Sequence, residues 1–160
     1  MTIRCTRKLL EYLKVGGLPR VSDAPTTSLG DWYAGLLFTR HQRLIVCVSE
    51  RSLLAVFVAA KNPGGFVARM LTSVRSALWA LGVPSETIER EMREMDPIAI
   101  GTTANRSVLG SLTELTLQAR YVLEKQPDMD LLTLALEVAE TPLGAIKYEI
   151  PRSATVARLL

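Results

Sequence analysis

The sequence predicts an α+β protein: an antiparallel or mixed sheet of four to five strands, formed as an early meander and packed by about five helices. Three observations predict it. Short runs rich in β-branched and aromatic residues cluster between Trp32 and Ala59. From Phe66 onward, longer segments place apolar residues at steps of three and four. Strands early and helices late is the order of an α+β chain, whereas a doubly wound fold alternates them. The 160 residues are 48% hydrophobic and 22% charged, with a mean hydropathy of +0.20. That composition excludes a disordered chain, and the length fits one domain spanning residues 1–160 with apolar surface enough for a core.

The elements follow in order. Residues 2–6 alternate polar and apolar, as a short half-buried strand does. Residues 7–15 read as a helix with Leu9, Leu10 and Leu13 on one face, stopped by Gly16 and Gly17. Residues 18–30, rich in Pro, Ser, Thr, Asp and Gly, form the longest loop. Three strands are then expected at 32–39, 43–49 and 53–59, joined at Arg40-His41-Gln42 and Glu50-Arg51-Ser52. The second and third are almost unbroken in apolar residues, which predicts cover on both faces and central positions. Asn62-Pro63-Gly64-Gly65 ends the meander, and a helix over 66–81 carries the stripe Phe66, Met70, Val74, Ala77 and Leu81, with Gly82 just past its end. Ser85 is the expected cap of a helix to about Met95, followed by a strand within 97–102. Asn105 or Thr103 caps a helix to about Lys125; further helices are expected at 131–140 and 151–160, the last with a proline at its start.

Charge and residue counts exclude several chemistries. The net charge is +3, and the basic residues are scattered. Two small groups, Arg4, Arg7 and Lys8, then Arg40 and Arg43, are the whole support for a nucleic-acid partner, which normally meets a concentrated basic stripe. The longest apolar run, from Leu53 to Ala60, is far short of the about 20 residues of a membrane span, so no membrane association is expected. With no secretory leader in view, the expected location is the cytoplasm. Cys5 and Cys47 each sit in an apolar, strand-like stretch and read as buried structural thiols. His41, the one histidine, falls in a hairpin connection, where no triad could hold it. Zinc-ligand spacing, a phosphate-binding glycine loop and a dinucleotide fingerprint are missing, so no metal and no cofactor are expected. Glu86, Glu89, Glu91, Glu94 and Asp96, interleaved with Arg90 and Arg93, read as an exposed helix laced with ion pairs. Glu137 and Glu140, one helical turn apart, are a carboxylate pair without a histidine nearby.

The segment from Gly101 to Ser111 gathers small polar residues where a strand meets a helix. Free N–H groups there, beside Thr103, Asn105, Arg106 and Ser107, would suit an anion such as a phosphate. The same residues also describe a strongly capped helix, with Gly110 and Ser111 allowing a close neighbour. Asp31 and Trp32, followed by Tyr33, place an acid and two aromatics at a loop-to-strand junction, as core side chains or as ligand stackers. Thr141-Pro142-Leu143-Gly144 is a turn, followed by Tyr148. The candidate ligand site is therefore Thr103, Asn105, Arg106, Ser107, Asp31, Trp32 and Tyr148, provided the three segments converge on one pocket.

Four strings come in a recognisable order: Arg4 to Leu10, Gly30-Asp31-Trp32-Tyr33-Ala34, Asn105-Arg106-Ser107-Val108-Leu109-Gly110-Ser111, and Glu140-Thr141-Pro142-Leu143-Gly144. In these the chain resembles a bacterial family of single-domain proteins of about this length, classed as a domain of unknown function. The resemblance covers nearly the whole chain, and the Arg-Ser-Val-Leu-Gly-Ser string is its most specific piece. In the family that string tends to continue Met-Asn-Asp, whereas here it continues Leu112-Thr113-Glu114. The resemblance implies a single domain and a bacterial cytoplasmic setting, and no activity. Taken together, the residues favour a non-enzymatic protein-interaction or regulatory module that binds a protein partner or itself. The alternative is a small enzyme or ligand-binding domain for a phosphorylated or anionic small molecule at 102–111.

Overall fold

The computed structural model describes residues 1–16 and 24–160. Residues 17–23, which include Gly17 and the first part of the expected loop, lie outside the described residues. The strands are β1 (Thr2–Cys5), β2 (Trp32–Phe38), β3 (Arg43–Ser49), β4 (Ala55–Ala59) and β5 (Ala99–Thr102). The helices are α1 (Arg7–Leu13), α2 (Phe66–Ala80), α3 (Ser85–Met95), α4 (Arg106–Lys125), α5 (Leu131–Val138) and α6 (Pro151–Leu159). The sheet order is β4-β3-β2-β1-β5. β2, β3 and β4 pair antiparallel as the expected meander, whereas β1 runs parallel to both β2 and β5. The fold is thus α+β on a mixed sheet.

Strand alternation divides the core in two. Ile3, Cys5, Trp32, Ala34, Ile45, Cys47, Val56 and Val58 face one way and pack with α2, α3 and Leu9 of α1. Tyr33, Leu37, Leu44, Val46, Val48, Ala55 and Phe57 face the other and pack with α4 and α5. The apolar runs of β3 and β4 record this double cover. They do not record position in the sheet: β3 is central as expected, but β4 is an edge strand. Its two faces are covered because α2 and α5 pack on it from opposite sides.

Two boundaries and one cap differ from expectation for local reasons, and α5 ends at Val138, two residues early. α1 stops at Leu13 because Lys14 turns into the left-handed region (φ 55°), ahead of the glycines. β4 starts at Ala55 because Leu53 is also left-handed (φ 57°) and its N–H bonds back to Ser49 O, which extends the turn from Glu50 by a residue. Ser85 is the first residue of α3 and makes no side-chain cap; Pro84 holds the cap position. Gly82 adopts the positive φ (81°) expected past the end of α2.

Cys5 and Cys47 are free and buried on the same face, each in register with Ala34 of the strand between them. Two strand spacings, about 9.6 Å, are too far for a disulfide. Burial pushes the Cys5 thiol up to about 12 and the Cys47 thiol well above its ordinary value. In the unfolded chain these thiols ionise near the ordinary value of 9.0, while in the fold they keep their protons. Their contribution is therefore full below that value and is lost as pH rises beyond it toward the folded values. At pH 8 we expect neither thiol to react with a disulfide reagent in the native protein and both to react in guanidinium. Fast native labelling of either would contradict the burial.

Candidate functional site

At the β1–β5 end of the sheet, a polar clamp holds the first strand. Asp31, 2% exposed, precedes β2. Its Oδ1 accepts the Thr2 N–H at 2.9 Å and its Oδ2 accepts Arg4 Nε–H at 2.9 Å. Arg4 also donates from Nη1 to the Thr102 carbonyl at 3.3 Å, so one side chain bridges β2 and β5 across β1. Tyr33, on the same face as Arg4 by register, turns its hydroxyl to the α4 start, where Oη accepts the Asn105 N–H at 3.0 Å. Burial raises the Tyr33 pKa; the Asn105 N–H opposes that shift, Glu50 adds to it, and the Arg4 charge opposes it.

Of the two caps the sequence allowed, Asn105 and Thr103, Asn105 takes the position. Its Oδ1 accepts the N–H groups of Ser107 (2.9 Å) and Val108 (3.3 Å). Three of the amides an anion would need at this end, those of Asn105, Ser107 and Val108, therefore already have protein acceptors. Arg106 and Ser107 are exposed, and Thr103 is half-buried. Ser111 is buried, its hydroxyl donating to the Ser107 carbonyl, but Gly110 faces open space with no close neighbour among the described residues.

The three candidate segments fall in different surroundings. Asp31 and Asn105 belong to the clamp. Trp32 points to the opposite face, fully buried in the core of α2 and α3, with its indole Nε1 lacking an acceptor among the described residues. Thr141 accepts a hydrogen bond from Gln118, thirteen residues along α4 from Asn105, which is about 20 Å at 1.5 Å per residue. Tyr148 is 77% exposed, its ring lying over Gly144 of its own turn. The two basic groups also stay apart. Arg4 is engaged by Asp31, whereas Arg40 lies beyond the far end of β2, seven residues past Tyr33, a rise of about 23 Å. His41 is exposed in the hairpin connection, as expected. Glu137 and Glu140 are exposed, Glu140 is paired with Arg152, and no metal-holding group of His, Cys, Asp or Glu occurs among the described residues.

The acidic helix is not what its composition suggested. Glu91 of α3 is 1% exposed, and its carboxylate accepts the N–H groups of Leu29 (2.9 Å) and Ser28 (3.0 Å). Glu89 pairs with Arg75 of α2, so the ion pair ties two helices together. A signal for Glu91 was present: Ile88, Glu91 and Met95 follow one another at three and four residues, on the buried stripe of α3.

Three connected clefts lie elsewhere, two along the β4 edge and the third between α2 and α3. A cleft of about 590 Å³ is lined by Val56 to Ala59, by Ala68, Arg69, Thr72 and Ser76 of α2, and by the start of α5 around Leu132. At Ala59 it meets a second cleft of about 470 Å³, formed by the Thr39–Arg43 connection and Lys61. At Ser76 and Leu132 it meets a third of about 360 Å³ that contains Trp79. The three make a furrow running beside α2 to Trp79, which is 67% exposed. Sequence reasoning missed it, although Ala68, Thr72, Ser76 and Trp79 recur at four, four and three residues, a small-residue face opposite the core stripe.

A mixed five-stranded sheet between helical layers, with β1 clamped between two parallel neighbours, defines an α+β protein in which Asn105 caps α4 and ties it to Tyr33. The chain belongs to the family described as a domain of unknown function, DUF6933, whose model matches residues 2–154. No curated protein and no solved structure matches the chain.

Proposed function

We propose that the protein is a non-enzymatic interaction module that docks a protein partner along the α2 furrow. The observation that carries this reading is the continuity of three clefts, two beside the β4 edge and the third between α2 and α3, ending on an exposed tryptophan. A Trp left two-thirds in water, on a helix face whose other furrow-lining residues, Ala68, Thr72 and Ser76, are small, is an anchor in search of a pocket. Binding also suits the chemistry along the furrow. Its hydroxyls include that of Thr72, which donates to the Ala68 carbonyl of its own helix, and its histidine stands exposed at one end.

The test is site-specific photo-crosslinking in the native host. A benzoylphenylalanine placed at Thr72 or Trp79 is expected to give discrete high-mass adducts. The same group at exposed Arg106 or Glu114 of α4, neither of which lines the furrow, is expected to give none. Adducts at all four positions alike, or at the control positions alone, would remove the reading.

A further inference from the structure

We infer that the furrow takes an extended peptide segment with acidic residues at one end and a large apolar residue near the other; this rests on the interaction-module reading. Charge is the first argument. Arg40, Arg43, Lys61 and Arg69 crowd the end where β4 finishes, and among the described residues none of them forms a salt bridge. The Arg69 guanidinium donates to the carbonyls of Lys61 and Asn62, while its Nε is shut off from solvent and has no acceptor among the described residues. The one carboxylate lining this end among the described residues, Asp130, is occupied as the α5 cap, accepting from the N–H groups of Leu132 and Thr133 and from the Thr133 hydroxyl. Four cations without carboxylate partners complement an acidic ligand.

Length is the second argument. From Ala68 to Trp79 the furrow follows eleven residues of α2, about 17 Å, which an extended chain spans in about five residues. Its middle is apolar, and its floor is a strand edge. Ala60 N–H bonds to Arg43 O, and Ser49 N–H to Leu54 O. By antiparallel alternation the peptide groups of Phe57 and Ala59, two residues that line the cleft, then face away from β3. A free anion would leave the apolar length and Trp79 uncovered. A nucleic acid would need cations along the whole path, whereas here they are gathered at one end. A second copy would have to bring its own β4 edge, itself set between α2 and α5, against this one.

The probes are fluorescein-labelled octapeptides with three glutamates at one end and Val-Leu-Phe at the other, in both orientations, with lysine-for-glutamate counterparts. Anisotropy is read on the full chain. At least one acidic orientation is expected to bind 10-fold or more tightly than its lysine counterpart, and to weaken as salt rises. The double variant Arg40→Glu with Lys61→Glu should weaken it 10-fold or more. Thr72→Trp, an exposed position, should abolish it by filling the furrow, with circular dichroism of both variants unchanged. Equal binding of both peptide charges, binding indifferent to the variants, or no binding overturns the inference. So does a single-stranded oligonucleotide that outcompetes the peptides, or sedimentation showing a dimer that Thr72→Trp dissolves. Furrow-specific crosslinks with no peptide binding would leave the module reading standing and remove the acidic peptide alone.

Discussion

Asp31→Asn is expected to lower the unfolding free energy by about 2–3 kcal/mol, since a hydrogen bond to a buried charged group contributes about 1.5–3 kcal/mol. The substitution keeps the shape and removes the fit. Both carboxylate oxygens are acceptors, one for the Thr2 N–H and one for Arg4 Nε–H. An amide offers one oxygen and turns its NH2 toward the other donor, so one of the two contacts becomes donor against donor. Breaking a buried ion pair costs about 3–5 kcal/mol. The lower figure applies here because Arg4 is 18% exposed and regains some hydration. At this chain length about 2–4 °C of melting temperature accompanies each kcal/mol, so a fall of about 5–10 °C is the expected reading. The effect should also have an address: β1 has four residues and is held on both sides, so amide exchange should quicken first across β1 and β5. In a double-mutant cycle with Arg4→Gln, the two losses should be strongly non-additive. A melting shift under 1 °C, or additive losses, would mean that the clamp does not hold the strand.

The clamp also shows where sequence reading reaches and where it stops. Asp31 stands out in the sequence as an acid beside two aromatics at a loop-to-strand junction, yet its partners lie 29 and 27 residues away. No periodicity reports such a contact, because β1 meets β2 in parallel and only the topology brings them together. The meander was legible because antiparallel neighbours are close in sequence and their side chains alternate. The edge position of β4 was not, since apolar runs record how many faces are covered and not how many strands flank them. Asn105 was legible as a cap, because capping is local, to within three residues. Its N–H contact with Tyr33, 72 residues distant, was not. The furrow needs α2 and α5 on opposite faces of one edge strand, an arrangement that neither helix encodes by itself.

Glu91→Ala should be the more damaging change, at about 3–4 kcal/mol, and it bears on the segment that leads into the clamp. The carboxylate is buried, forms no salt bridge among the described residues, and is held by two backbone N–H groups of Ser28 and Leu29. Alanine leaves both N–H groups without an acceptor and opens a void between α3 and residues 27–29; each lost contact with a charged acceptor is worth about 1.5–3 kcal/mol. Glutamine should recover part of the loss and no more, because its NH2 would face one of the two N–H groups. The consequence extends beyond stability. Leu29 is fully buried in the core of α2 and α3, and the Arg51 N–H donates to its carbonyl. Two residues later comes Asp31. Freeing this stretch should therefore loosen the clamp from behind, so Glu91→Ala and Asp31→Asn should combine to less than the sum of their separate effects. Chymotrypsin should cleave after Leu29 in Glu91→Ala under native conditions and spare the parent. If Glu91→Ala melts within 2 °C of the parent and resists cleavage, the buried carboxylate is not what holds the chain's entry into β2.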